Sequence, residues 1–592
     1  MPSPRSVYLD TEPDPISAIY HPPQPGVEPA SAVLICPPWG WDEVASYRSR
    51  RAWAERLAAA GHPTLRFALP ATGNSAGSPR DPERLRAWRS ALSGAAAWLR
   101  EASGAQRLAA LGLGLGGLLA RAALAEGAPI DELVLWGAPA SGWAFARETR
   151  AFSRLQAWNG AVAAERPEAA LPEGWIEAGG FVLSAETLAG LRELGPEIEP
   201  GPRLRRALLL ERDGVAVDEG LRDGLATAGI EVEVAPGPGW ADLVSHAEHT
   251  KLSARTADLV AEWLAQPLDR GEPAAAAAPA ELGELEIEVE GHGVRERVLE
   301  VELPFGRATG VIAEPAGTPG SDLCAICLNA GAVRSIGPNR IWVETARRWA
   351  AAGMPTLRID LEGIGEADGE APADVTEFYL PKFERELGAV LDQLEQRGLG
   401  RRFVLAGLCA GGYWAFQRAL GDPRVETVLL LNSGALAWDP GLVAQREARK
   451  VGRASQGHWW GRLLRGEVGF SKLRSLARSL LVAGGRSLRS LPGRRRGSLK
   501  ASVYADLDRL SEAGTALHMA FSDEEPLAAE LRAYGVFDEL GRWPELTVTR
   551  LPGADHTLRP VAAQAAAREF LDTELARLRS LSLDGARRGS GC

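Results

Sequence analysis

The chain has 592 residues, 45% of them hydrophobic, with 66 Lys and Arg against 77 Asp and Glu for a formal net charge of −11. This length calls for more than one domain, and the acidic balance argues against a general nucleic-acid binder. No apolar run is long enough to cross a membrane, and the opening MPSPRSVYLDTEPDP lacks a signal-peptide core, so a cytoplasmic location is expected.

In chain order, AVLICPPWG (ending at Gly40) holds a strand and a short apolar run from Leu108 to Leu111 follows, within an alternation of strands and helices. The glycine run Gly112-Leu113-Gly114-Leu115-Gly116-Gly117 then opens a helix. A mixed insertion follows between Ser141 and Pro202, and the half closes with LLLERDG around Asp213 and AEHT around His249. QPLDRGEPAAAAAPAELG, residues 266–283, is a Pro/Ala-rich linker. Beyond it, RERVLEVELPFGRATGVIAEP reads as an antiparallel hairpin. LCAICL, PTLRID, RRFVLAGL, VETVLLLNS and ALHMAF read as strands alternating with helices such as NRIWVETARRWAAAG. Continuous apolar strands separated by amphipathic helices predict a mostly parallel sheet covered on both faces.

The chain contains this pattern twice. AAAGHPTLRFALPATGNSAG from Ala58 matches AAAGMPTLRIDLEGIGEADG from Ala350, and AVLICPPWG ending at Gly40 matches LCAICLNAG ending at Gly331. LAALGLGLGGLLARAAL matches FVLAGLCAGGYWAFQRAL, and AEHT matches ADHT. The expected organisation is therefore α/β throughout. Residues 1–265 form one domain, 266–283 a linker, 284–580 a second domain with a cap at about 440–510, and 581–592 a flexible tail.

The glycine run fits G-x-G-x-x-G, the fingerprint of a dinucleotide loop. Such a loop follows the first strand of its domain, whereas this one follows at least two earlier strand candidates. The repeat gives a different reading. Gly114 stands opposite Cys409 in Gly407-Leu408-Cys409-Ala410-Gly411-Gly412, which is a nucleophile elbow, so the first copy is a vacated elbow. Cys324 and Cys327 lie three apart on a strand and face opposite sides, and Cys36 matches Cys327 in the repeat. All three read as core packing rather than metal ligands, and no cofactor is called for.

On these motifs both halves resemble the α/β-hydrolase superfamily, nearer its serine-aminopeptidase-like branch, nearly end to end in each copy. GLCAGG is similar to the Cys-centred elbows of dienelactone hydrolases and polyhydroxyalkanoate synthases. LVLWGAPASGWAFARE with NAGAVRSIGPNR…GLCAGG is similar to hydrolases associated with exosortase and exopolysaccharide loci. The resemblance implies a nucleophile–acid–histidine order, which gives Cys409, Asp523 of FSDEEP and His556 of LPGADHTLRP, with Glu524 as the fallback acid. Asp523 stands opposite Asp213. His518, inside a strand, reads as a packed core histidine, and His458 falls in the insertion. The resemblance also implies an oxyanion site at the N–H groups of Ala410 and Gly331, although Asn329-Ala330-Gly331 replaces the usual His-Gly there. A helix N-terminus and a neighbouring imidazole both favour a nucleophilic thiolate.

From Arg446 to Lys500 the insertion carries fifteen Arg or Lys against Glu447 and Glu467. This basic cap reads as a solvated lid, an anionic-membrane surface, or a dock for CoA or an acyl carrier protein through Arg494, Arg495 and Arg496. The expected function is an acyl esterase or thioesterase working through a Cys409 thioester. The alternatives are an acyltransferase, or a binding protein in which both elbows are relics. The first half, lacking a nucleophile, is expected to be a scaffold packed on the second.

Overall fold

The computed structural model describes all residues except 1, 25, 27–30, 161–170, 197–202, 269–276, 318–320, 439–491 and 590–592. The first unit contains β1 (Arg5–Leu9), β2 (Ile16–His21), β3 (Ser31–Cys36), β4 (Thr64–Phe67), β5 (Arg107–Leu113), β6 (Glu132–Trp136), β7 (Ile176–Ala178), β8 (Phe181–Leu183), β9 (Arg206–Leu210) and β10 (Glu231–Ala235). After β11 (Glu281–Leu282), the second contains β12 (Leu285–Val289), β13 (His292–Leu303), β14 (Gly306–Pro315), β15 (Leu323–Leu328), β16 (Thr356–Ile359), β17 (Arg402–Leu408), β18 (Val425–Leu431), β19 (Ala516–Ser522) and β20 (Leu546–Leu551).

The two large sheets run β10-β9-β6-β5-β3-β4-β2-β1-β11 and β12-β13-β14-β16-β15-β17-β18-β19-β20. Setting aside the edge strands β11 and β12, the order is the same in both. Strands from β3 and β15 onward pair in parallel, and an antiparallel hairpin leads into each sheet. β3, β5 and β15 are buried at every residue, because helices cover both faces. Cys324 and Cys327 of β15 fall into different hydrophobic clusters on the two sides of the sheet, as their spacing requires. The linker brings one surprise: its end, Glu281–Leu282, pairs on β1 and so belongs to the first sheet.

The units pack with an approximate two-fold relation. Arg66 of β4 makes a two-pronged bond to Glu366 in the other unit, at 2.9 and 2.8 Å. Arg358, which takes the place of Arg66 in the repeat, reaches Asn74, which takes the place of Glu366, at 3.4 Å. Arg51 donates to the carbonyls of Gly365 and Ala367, while Arg340 donates to those of Gly73, Ser75 and Gly77. Each unit thus sends arginines into the turn that follows the other's fourth sheet strand. Such reciprocal contact is how a symmetric homodimer buries one surface against itself.

Burial opposes ionisation of Glu366, but Arg66 and Arg51 outweigh it and hold its carboxyl at about 2, below the ordinary 4.5. The unfolded chain therefore binds more protons between these values, so this contribution is complete above about pH 4.5 and is lost as pH falls toward 2. Glu366→Gln should cost about 3 kcal/mol at pH 7, because Arg66 is left buried and unpaired. Melting curves should show the gap to wild type narrowing from pH 4.5 to pH 2. A gap independent of pH would contradict the assignment.

Candidate active site

β17 ends at Leu408 and a helix begins at Ala410, leaving Cys409 alone in the turn with φ 56° and ψ −118°. The turn is too crowded for side chains around it. A Cβ on Gly407 would stand 2.3 Å from the Gly411 backbone, and one on Gly411 would stand 2.3 Å from the Asn329 carbonyl. Cys409 itself is partly exposed, unlike the fully buried Cys36, Cys324 and Cys327. Burial pushes the thiols of Cys324 and Cys327 up to about 12, which leaves them inert as nucleophiles.

His556 follows β20 and stands beside Cys409. Its Nδ1 lies 3.1 Å from both carboxylate oxygens of Glu525. Burial lowers the affinity of the imidazole for a proton, but the neighbouring Cys409 thiolate and Glu525 carboxylate prevail and raise it well above the ordinary histidine value. The loop is held from below by Asn432, at the end of β18, which donates to the His556 carbonyl at 2.9 Å and to Ser522 Oγ at 2.7 Å.

The carboxylate that meets the imidazole is that of Glu525 rather than the expected Asp523. Asp523 accepts from the Gly553 N–H and from Arg550, both at 2.8 Å, and so shapes the loop that leads to His556. Glu524, the fallback, is exposed. Glu525 is 4% exposed and stands just before the helix Pro526–Tyr534 without capping it, which frees its carboxylate for the imidazole. The expectation of Asp523 came from the repeat. Asp213, opposite Asp523, also accepts loop N–H groups, those of Gly239 and Ala241, so what the two copies share is this structural role.

The loop after β15 presses on the elbow, which brings Asn329-Ala330-Gly331 beside the first turn of helix Ala410–Ala419. Among the described residues neither the Ala410 nor the Gly331 N–H has an acceptor. Asp360, a residue not read from the sequence, accepts from Asn329 Nδ2 at 2.9 Å and the Ser335 N–H at 2.6 Å, and so fixes this loop. Burial lifts its carboxyl to about 6 against these hydrogen bonds. The first unit has Pro38 and Ala68 at the two repeat positions.

In that unit Gly114 keeps the elbow geometry, with φ 51° and ψ −125°. Where the second unit has Asn432, the first has Gly137, and the Trp240 indole fills the room, 2.6 Å from where a Gly137 Cβ would lie. The same ring comes within 3.8 Å of the Cβ position of Gly114. His249 is exposed and Asp213 accepts from loop N–H groups, so among the described residues these two form no acid–histidine pair.

The insertion of the first unit turns out to touch the second. Its hairpin β7–β8 lies against the chain just beyond His556. Gln564 Nε2 donates to the Gly180 carbonyl at 2.8 Å, and the Val561 N–H donates to Glu177 at 3.3 Å. Glu248 of AEHT lies beside Gly331. His518 is the packed core histidine expected, 1% exposed, and is pushed down to about 4 by burial and by Arg577. His458, most of the basic cap, and the side chains of Arg494, Arg495 and Arg496 lie outside the described residues.

A side chain at φ 56° is strained by about 1–3 kcal/mol, more than the 0.5–1 kcal/mol that glycine loses in chain entropy. Cys409→Gly should therefore melt higher than Cys409→Ala by about 1 kcal/mol, reversing the usual order. A lower melting temperature for the glycine variant would show that the turn is unstrained. For the acid, Glu525→Gln should lower the rate of Cys409 acylation by two orders of magnitude or more, whereas Asp523→Asn should cost at most about tenfold. The reverse ranking in single-turnover kinetics would return the role to Asp523.

No family model matches the chain, and no curated protein matches it. Solved structures do match, each over one unit. A proline iminopeptidase from Mycobacterium smegmatis is 17% identical with a TM-score of 0.31, and the match covers 48% of this chain and 99% of that one. A carboxylesterase from Nitrososphaera gargenis is 12% identical with a TM-score of 0.30, covering 48% and 100%. A putative dienelactone hydrolase from Klebsiella pneumoniae is 12% identical with a TM-score of 0.29, covering 47% and 97%. At these identities the likeness is one of fold. The chain itself is a tandem pair of α/β units with one sheet order, each turning through a single residue between its fifth sheet strand and the following helix.

Proposed function

We propose that the second unit is a cysteine hydrolase of acyl esters or thioesters, with Cys409 as nucleophile, His556 as base and Glu525 as the acid that orients it. The observation that carries this reading is the position of His556, beside Cys409 and with its Nδ1 3.1 Å from both carboxylate oxygens of Glu525. Nucleophile, base and orienting acid in series are what acyl transfer to a side chain requires.

His556 takes the thiol proton, and the thiolate attacks the substrate carbonyl carbon. The oxygen becomes an oxyanion facing the N–H groups of Ala410 and Gly331. Collapse breaks the bond to the alcohol or thiol, which leaves with the proton held by His556, and the acyl group remains as a thioester on Cys409. Water then gives its proton to His556 and attacks that thioester, and the released thiolate recovers the pair. Tyr379 packs on Trp438 at 3.7 Å and near Tyr413 at 5.2 Å, in the segment whose Gly434 N–H bonds the Cys409 carbonyl. This aromatic wall suits an apolar acyl group.

Intact-mass spectra after mixing with a panel of acyl thioesters and activated esters test the reading. Wild type should gain one acyl group, Cys409→Ala none, and His556→Ala should acylate slower by about 10²–10⁴. An undiminished adduct on Cys409→Ala would remove the assignment.

A further inference from the structure

A cavity of about 270 Å³ lies between the two units, and none of Cys409, His556 and Glu525 lines it. Its walls come from both: Trp39, Val44, Trp88 and Phe181 from the first, Ile336 and Val561 from the second. Pro38 and Gly40 also line it, and they belong to the first unit's counterpart of the Asn329–Gly331 loop. The unit that lost its nucleophile has therefore kept a hollow beside the vacated elbow.

The polar groups of that hollow are unevenly satisfied. The Asn339 Oδ1 and Arg84 Nε atoms are buried in the lining residues and have no hydrogen-bond partner among the described residues. Leaving such atoms unpaired costs about 1–3 kcal/mol each. The ionic balance is uneven as well. Glu43 is paired with Arg50 and Arg334, Glu344 with Arg340, and Arg84 with Asp14 and Asp81. Arg80, from the first unit, stacks 5.7 Å from Trp175, and Arg568 comes from the last helix of the second. Both line the cavity, and neither is ion-paired with a described residue. An aromatic body with unbalanced cations selects a ligand that is apolar at one end and anionic at the other. At about 30 Å³ per water, the volume corresponds to roughly nine water-sized groups, which sets the ligand near ten non-hydrogen atoms.

We propose that the interdomain cavity binds a small amphipathic carboxylate, its chain among Trp39, Trp88, Phe181 and Ile336 and its carboxylate held by Arg80 and Arg568. The site is separate from the catalytic one, and the experiment keeps them separate.

Protein first alkylated at Cys409 with iodoacetamide is titrated calorimetrically with octanoate and with 1-octanol. Octanoate should bind at one site, and 1-octanol at least tenfold more weakly. The double variant Arg80→Glu/Arg568→Glu should weaken octanoate at least tenfold and leave 1-octanol unchanged. Ala565→Trp, which places a large ring on the lining helix, should abolish both while the circular dichroism spectrum stays that of wild type. No saturable octanoate binding, equal affinity for acid and alcohol, or octanoate affinity indifferent to both variants would each overturn the proposal. Failure here leaves the Cys409 acylation reading untouched, because that is measured on unalkylated protein.

Discussion

Both units depend on one backbone constraint, the reversal between the fifth sheet strand and the helix that follows it. The chain must turn within a single residue at φ near +50°, and the neighbouring carbonyls leave no room for side chains at the flanking glycines. Whatever residue occupies the turn is held out at the carboxyl edge of the sheet, before the first N–H groups of a helix. In the second unit that residue is cysteine and bears the strain. In the first it is glycine, which adopts the conformation freely. Glycine at this turn therefore costs the first unit no strain, and the two units share the geometry whatever residue stands there.

The second organising feature is the reciprocal interface. A fold duplicated in one chain and packed through the same surface buries Arg66 and Arg358 in equivalent places, each reaching the other unit. Once that surface is shared, the first unit can no longer be removed without exposing buried arginines and the turns they hold. It also stands against the working parts of its neighbour. Hairpin β7–β8 rests on the segment after His556, and Glu248 lies beside Gly331. The loop carrying the base is thus fixed from two directions, by Asn432 within its own unit and by the hairpin from outside.

The sequence makes the sheets legible because central strands buried on both faces read as unbroken apolar runs, and because the same runs recur in the same order. Cys409 and His556 are legible for a related reason, since the turn and the loop demand particular small residues around them. Glu525 is not. Acid and base meet through loops whose lengths are free to vary, and Asp523 carried the stronger signal by matching Asp213. The interface escapes the sequence too. Arg66 and Arg358 sit in apolar strands where a charge looks misplaced; Arg66 is matched by Glu366 of the other unit, whereas Arg358 pairs with Glu296 of its own sheet and reaches Asn74 across the interface. Residues 176–183 show why insertions resist reading. Two three-residue strands have too little periodicity to announce a hairpin, and nothing local says what it will touch.

Seen from the repeat, few side chains distinguish the candidate site of the second unit from its counterpart. Cys409, Asn432 and Glu525 correspond to Gly114, Gly137 and Val215, while the backbone around them is common to both. Val215 is 56% exposed, so the position opposite Glu525 is ordinary surface in the first unit. Trp240 then occupies the volume that the lost side chains left, packing edge-on against Trp136 at 5.4 Å. An empty polar site would have had to stay hydrated or collapse, and an indole solves this by turning the site into core. That change reaches only as far as the ring. Beyond Pro38 and Trp39 the hollow between the units persists, lined by residues of both, where neither core packing nor catalysis accounts for it.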